Sequence, residues 1–132
     1  MLIRYKVINK NTRCSVIVSS EQYKLIYFKD MIVEAAPGTL GIMVFRRRYQ
    51  ALNFAYNMKS YNRIPTLVVK VEAFGRGKTP FYISRYVNTG SNLSSFYKHS
   101  YIDKKYAHDG KTYAVVHPME GTLCYDTVRV ID

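Results

Sequence analysis

Residues 42–74 decide the fold: Ile42-Met43-Val44-Phe45 is followed by Arg46-Arg47-Arg48, then by Tyr49-Gln50-Ala51-Leu52-Asn53-Phe54-Ala55-Tyr56-Asn57-Met58-Lys59, and after a break by Thr66-Leu67-Val68-Val69-Lys70-Val71-Glu72-Ala73-Phe74. The first four residues are a short continuous apolar run, which suits a strand buried on both faces. Ala51, Phe54, Ala55 and Met58 then fall at i, i+3, i+4 and i+7, one stripe of a helix. The spacing predicts that helix from Arg48 to Lys59, with Tyr49, Gln50, Asn53 and Asn57 outside the stripe. Ser60-Tyr61-Asn62-Arg63 is expected to end it, and Pro65 leads into the segment richest in β-branched residues. One helix packed on one sheet follows from this stretch alone.

Upstream, short apolar segments alternate with turn signals, the rhythm of antiparallel strands. Leu2–Ile8, Arg13–Val18, Tyr23–Phe28 and Met31–Ala35 read as four successive strands, with Asn9-Lys10-Asn11-Thr12 and Lys29-Asp30 as turns. A β-meander is the expected topology. Ala36-Pro37-Gly38-Thr39-Leu40-Gly41 breaks the pattern as a structured loop. Downstream, Phe81–Val87 reads as a strand and Leu93–Tyr101 as a short helix or an ordered loop. Asp109-Gly110 favours a hairpin before Thr112–His117, and Leu123–Ile131 reads as one closing strand. The expected fold class is α+β: a twisted, mainly antiparallel sheet of about six or seven strands with one main helix, in a single domain.

Composition narrows the function. The 132 residues carry 20 Lys+Arg against 9 Asp+Glu, a formal charge of +11, and 48% are apolar, enough for a core. No apolar run approaches the roughly 18 to 20 residues of a membrane span. The start, Met1-Leu2-Ile3-Arg4-Tyr5-Lys6, lacks the order of a secretory signal, so cytosolic residence is the expectation. Cys14 and Cys124 match no metal spacing and read as small buried hydrophobes. His99, His108 and His117 match no zinc motif, and no catalytic residue, metal or cofactor is assigned.

Three features speak for an anionic partner. Arg46-Arg47-Arg48 directly precedes the helix, where cations oppose the macrodipole and an anion would compensate them. The bland alternative is that these arginines fan into solvent or pair with Glu34 or Glu72. Gly75-Arg76-Gly77-Lys78-Thr79 contains Gly-Lys-Thr without being a P-loop, since position 72 is Glu and Pro80 follows. Its backbone N–H groups, Arg76 and Lys78 still suit contact with a phosphodiester. Finally, 13 tyrosines include several beside a basic residue, among them Arg4-Tyr5, Arg48-Tyr49 and Arg85-Tyr86. Cations for phosphates beside aromatic faces for bases suit single strands and RNA, although tyrosine is also simply a good strand residue.

Gly38-Thr39-Leu40-Gly41-Ile42-Met43-Val44-Phe45 with Ala51 and Phe54, an opening Tyr5-Lys6-Val7 strand and a Val-rich end at 121–130 resemble small α+β domains from phage and environmental sequences. That resemblance implies a phage or mobile-element source and carries no activity. The order strand, glycine loop, short strand, Ala-x-x-Phe helix and long strand ending near a Glu is also similar to ADP-ribosyltransferase-like folds. It implies Arg4 as the residue holding a nicotinamide dinucleotide, with Tyr5 and Glu72 as further positions to mutate. The Ser-Thr-Ser element and catalytic Glu motif of those enzymes are absent from the sequence.

The expected function is therefore a basic binding module for a polyanion, single-stranded nucleic acid or RNA first, a phosphate-bearing nucleotide second and an acidic protein surface third. The candidate ligand-binding residues are Arg4, Arg46, Arg47, Arg48, Tyr49, Arg76, Lys78, Arg85 and Tyr86. The alternatives are a phage structural or host-interaction protein and a nucleotide-binding enzyme.

Overall fold

The computed structural model describes residues 1–16, 24–36, 41–79, 83–84, 115–116 and 119–132. In chain order these form β1 (Ile3–Asn9), β2 (Ile32–Glu34), β3 (Ile42–Phe45), α1 (Arg48–Asn62), β4 (Thr66–Phe74), β5 (Ile83–Ser84), β6 (Val115–Val116), β7 (Thr122–Tyr125) and β8 (Thr127–Val130). The fold is α+β, with the helix set against a six-stranded antiparallel open sheet of order β2-β8-β4-β1-β3-β7. β5 and β6 pair separately as a two-stranded sheet.

No two strands consecutive in sequence are neighbours in the six-stranded sheet, so the expected meander does not form. The turn at 9–12 is present: the Asn9 side chain accepts hydrogen bonds from the Asn11 and Thr12 N–H groups, and Arg13 adopts φ 58°. Beyond it, however, the described part of the return segment, residues 13–16, makes the isolated bridges Ile8↔Ser15 and Cys14↔Ile26 rather than a ladder. β1 instead pairs along its whole length with β4, from Ile3↔Glu72 to Asn9↔Thr66. The nine-residue β4 offers a matching alternation over that length, which a short local hairpin does not.

The expected closing strand is also two strands, divided at Asp126. β7 pairs with β3 at one edge, whereas β8 lies between β2 and β4. In a flat sheet those positions would be about 19 Å apart, yet one linking residue spans only about 7 Å. The sheet must therefore curl until the end of β7 comes back to the start of β8. Its inner face gathers Ile8, Val33, Ile42, Val44, Val69, Val71, Leu123, Val128 and Val130, drawn from all six strands, and Tyr27 closes over them. The outer face carries α1 through Val7, Phe45, Ala51, Phe54 and Ala55, with the Phe45 and Phe54 rings 5.3 Å apart.

The helix runs to Asn62, three residues beyond its expected end. Polar residues at 60–62 do not stop it; Arg63, in the left-handed region with its N–H bonded to Met58 O, does. Cys14 and Cys124 are free thiols, and Cys14 is only half-buried, contrary to the expectation of burial. Leu93–Tyr101, the Asp109-Gly110 turn and the three histidines lie outside the described residues.

Lys6 is the one lysine among the buried residues, 6% exposed on the inner face. Its ammonium donates to Met43 O at 2.9 Å and sits 5.3 Å from the Tyr27 ring. No carboxylate pairs with it among the described residues. Burial pushes its pKa from 10.5 down to about 8 and the Cys124 thiol from 9.0 up to about 12. Below about 8 Lys6 is charged in both states and the cost of burying it is present in full. Stability should rise as pH climbs through 8, because the folded state sheds the proton that the unfolded state keeps up to 10.5. From pH 9.0 the unfolded thiol ionises before the folded one and offsets the lysine's contribution, so stability flattens and then turns down as pH approaches 10.5, where the unfolded lysine also loses its proton. Lys6→Met should raise stability at pH 7 by about 2 kcal/mol, the relieved charge burial less a lost hydrogen bond. The gain should vanish by about pH 10, where the native lysine is neutral as well. Denaturant melts of both proteins across that range check this, and an equal pH slope in the two would refute it.

Candidate polyanion-binding site

Arg47 begins α1 as its N-cap, extended at φ −124° and ψ 150°. An N-cap is ordinarily Ser, Thr, Asp or Asn, whose side-chain oxygen accepts from a first-turn N–H. Here the cap makes no side-chain hydrogen bond and the first turn contains no acid. Arg46, Arg47 and Arg48 are all exposed at this end, so three guanidinium groups add to the positive end of the macrodipole.

The 119–122 turn packs beside this helix start. Arg46 N–H donates to Gly121 O at 2.9 Å, and the Thr122 N–H and hydroxyl both donate to Met119 O, at 3.1 and 2.6 Å. Gln50 links the two parts: its Oε1 accepts from Arg47 N–H at 3.0 Å, and its side chain lies directly on Gly121. Gly121 has φ 84°, and a Cβ there would fall on the Gln50 carboxamide. Glycine is thus required twice at this position, by backbone angle and by space.

Residues 75–79 arrive from the end of β4 and run along the free edge of β7. Lys78 N–H donates to Cys124 O at 2.9 Å and Cys124 N–H returns to Lys78 O at 2.8 Å. Gly77 admits this approach, since a Cβ there would stand 2.8 Å from the Tyr125 ring. Together these parts bound a cavity of about 400 Å³. Arg46, Arg47, Tyr49 and Gln50 form its helix side, Thr79 and Leu123 its sheet side, and Glu120, Gly121 and Thr122 the remaining wall.

Of the residues singled out in the sequence, Arg46, Arg47 and Tyr49 line this cavity and Arg48 lies beside them in the chain. The pairing of these arginines with Glu34 or Glu72 does not occur. Glu72 accepts from Arg129 Nε at 3.2 Å, and none of the three arginines is in an ion pair among the described residues. The glycine loop contributes Thr79 rather than its cations: Lys78 pairs with Asp126 at 3.6 Å, and Arg76 is exposed outside the cavity. Arg4 also lies outside the lining, donating to the Tyr125 hydroxyl at 3.2 Å and to Ile3 O at 3.1 Å. Arg85 and Tyr86 lie outside the described residues.

Arg4 stands opposite Val71, and Ile3 opposite Glu72. Arg4 and Glu72 consequently point to opposite faces of the sheet, an arrangement that does not place them around one bound dinucleotide. Among the described residues no group of His, Cys, Asp and Glu is placed to hold a metal. No family model, curated protein or solved structure matches the chain.

Sequence reasoning missed Gln50, Thr79, Glu120, Gly121 and Thr122. Gln50 falls merely off the apolar stripe, and residues 121–122 count only as the start of a Val-rich end. The one signal available was Gln three residues after the N-cap, the position from which a side chain reaches back to the cap N–H. It also left Tyr56 unmarked, although Tyr49 and Tyr56 are 56% and 69% exposed, two turns apart on α1.

Gly121→Ala should displace Gln50 and strain the turn, lowering stability by about 1 to 3 kcal/mol. Gly75→Ala, also at positive φ but with open space around it, should cost less. Equal losses in paired thermal melts would show that steric contact with Gln50 adds nothing.

Proposed function

We propose that this protein is a basic module that binds single-stranded nucleic acid, RNA foremost, through the α1 N-terminus. The observation that carries the reading is that Arg46, Arg47 and Arg48 are exposed, unpaired among the described residues, and gathered where a helix already presents positive charge. Surface arginines balanced by carboxylates would do nothing but solvate, and among the described residues Glu72, Asp30 and Asp126 pair elsewhere while Glu120, in the same cavity lining, forms no ion pair with them.

Tyr49 at the cavity and Tyr56 further along α1 expose aromatic faces beside these cations. Their separation, two turns or about 10 Å, matches base stacking along a strand better than a single small anion. A duplex read through the major groove would call instead for a helix with base-reading side chains along one exposed face. The overall charge of +11 draws any polyanion toward the surface and sharpens the salt dependence of contact.

Arg46/Arg47/Arg48→Ala should weaken binding to a mixed-sequence single-stranded RNA by about tenfold or more at moderate salt. It should also flatten the slope of log affinity against log salt by about 2, from the loss of roughly three phosphate contacts. Fluorescence anisotropy across a salt series measures both quantities. Binding by the wild type that is absent even at low salt, or a variant with an unaltered slope, would overturn the reading.

A further inference from the structure

The face of α1 turned away from the sheet carries a second pattern. Ala51, Phe54, Ala55 and Met58 pack toward the sheet, and Tyr49, Leu52 and Tyr56 fall on the opposite side at i, i+3 and i+7. At about 100° per residue the three lie within about 60° of one another, in one line along the helix axis. They are 56%, 47% and 69% exposed. One exposed apolar residue is ordinary, but three in line form a ridge that a helix gains nothing from showing to water.

The two flanks of the ridge differ. Arg48 and Lys59 project on one side of it, both exposed and neither in an ion pair among the described residues. Asn53 and Asn57 project on the other, with no side-chain hydrogen bond among the described residues. Across its 15 residues α1 contains no Asp or Glu. The ridge is thus bordered by cations along one side and by carboxamides, each a donor and an acceptor, along the other.

That order decides among occupants. A second copy of the chain would bring Arg48 and Lys59 against the same cations, with no acid on either helix to separate them. A partner protein buries about 800 Å² a side in a standard interface, and three side chains with polar flanks fall well short of that. A single strand of RNA presents the matching chemistries across its width: phosphates at one margin, base faces in the middle and base edges at the other.

We infer that a single strand lies lengthwise on the exposed face of α1. Its phosphates meet Arg48 and Lys59, its bases stack on Tyr49 and Tyr56 with Leu52 between them, and its base edges bond to Asn53 and Asn57. This rests on the nucleic-acid reading above and extends the contact from the arginine cluster along the helix, so that recognition depends on the bases as well as on charge. From Arg48 to Lys59 the track is about 16 Å long, room for about five nucleotides at about 3.4 Å each.

The test is fluorescence anisotropy with a mixed-sequence single-stranded RNA and an abasic strand of equal length and charge. The wild type should bind the abasic strand about tenfold more weakly than the RNA. Tyr56 is exposed and belongs to neither core cluster, so Tyr56→Ala should melt at the wild-type temperature. It should nevertheless bind the RNA about tenfold more weakly with an unaltered salt slope, since stacking releases no counterions. Lys59→Ala should instead lower the slope by about 0.7, the share of one phosphate. Asn53→Ala/Asn57→Ala should weaken the RNA and leave the abasic strand unchanged.

Equal binding of the RNA and the abasic strand overturns the inference. So does a Tyr56→Ala variant that binds the RNA within about twofold of the wild type, well below what the loss of a stacked base costs. In either case a loss on Arg46/Arg47/Arg48→Ala leaves the arginine-cluster reading standing and the ridge to a protein partner. No binding of RNA at low salt overturns both.

Discussion

Asp126 is a single residue joining two strands that the sheet order separates by three others. That link forces the sheet to curl, and most of the architecture follows from the curl. Side chains from every strand meet on an enclosed inner face, so β3, β4, β7 and β8 all need apolar residues at alternate positions, whereas β1 turns Lys6 and Ile8 inward. A helix cannot fit inside and packs outside, over β1, β3 and β4. β7 is left as an edge, and the segment leaving β4 covers it through the paired bonds at Lys78 and Cys124. Covering that edge blocks pairing with another chain, and it also carries Thr79 to the cavity wall.

The same geometry sorts the charges. Cross-strand pairing sets Glu72 opposite Arg129, and Asp30 reaches the same guanidinium at 3.9 Å. Asp126 takes Lys78, while Asp132 accepts from Lys70 N–H at 2.6 Å. Four of the described acids are therefore committed by strand register, away from the start of α1. Excess positive charge gathers at that helix end because the sheet uses up the acids elsewhere, and the residue left beside it, Glu120, stands on the rim without an ion pair among the described residues.

Local elements were legible in the sequence and their partners were not. The stripe Ala51, Phe54, Ala55 and Met58 identifies the buried face of α1, and β-branched residues mark β4 over its observed length. Periodicity reports which side of an element is apolar, and that survives folding. It does not report which strand lies alongside. The turn at Asn9 is real, yet among the described residues it opens no hairpin ladder, because β4 satisfies seven residues of β1 where residues 13–16 make one bridge to it. The break at Asp126 shows in the sequence only as a one-residue shift of the alternation, with Leu123 and Tyr125 inward before it and Val128 and Val130 after it. In the site, the arginines announced themselves by charge, whereas the Gln50 contact with Gly121 joins residues far apart in sequence and needed the fold.

Arginines before a helix would be weak evidence by themselves, because long side chains can swing away from the dipole and reduce a penalty of about 0.3 to 1 kcal/mol each. Gln50 is harder to dismiss. A residue serving only to cap Arg47 N–H needs one oxygen, and glutamate would provide it together with a favourable interaction with the helix dipole. Glutamine forgoes that interaction and keeps a donor on the cavity wall. The choice is intelligible under the proposed polyanion reading, since the carboxylate that best suits the isolated helix would repel the phosphates that this reading brings to the arginines.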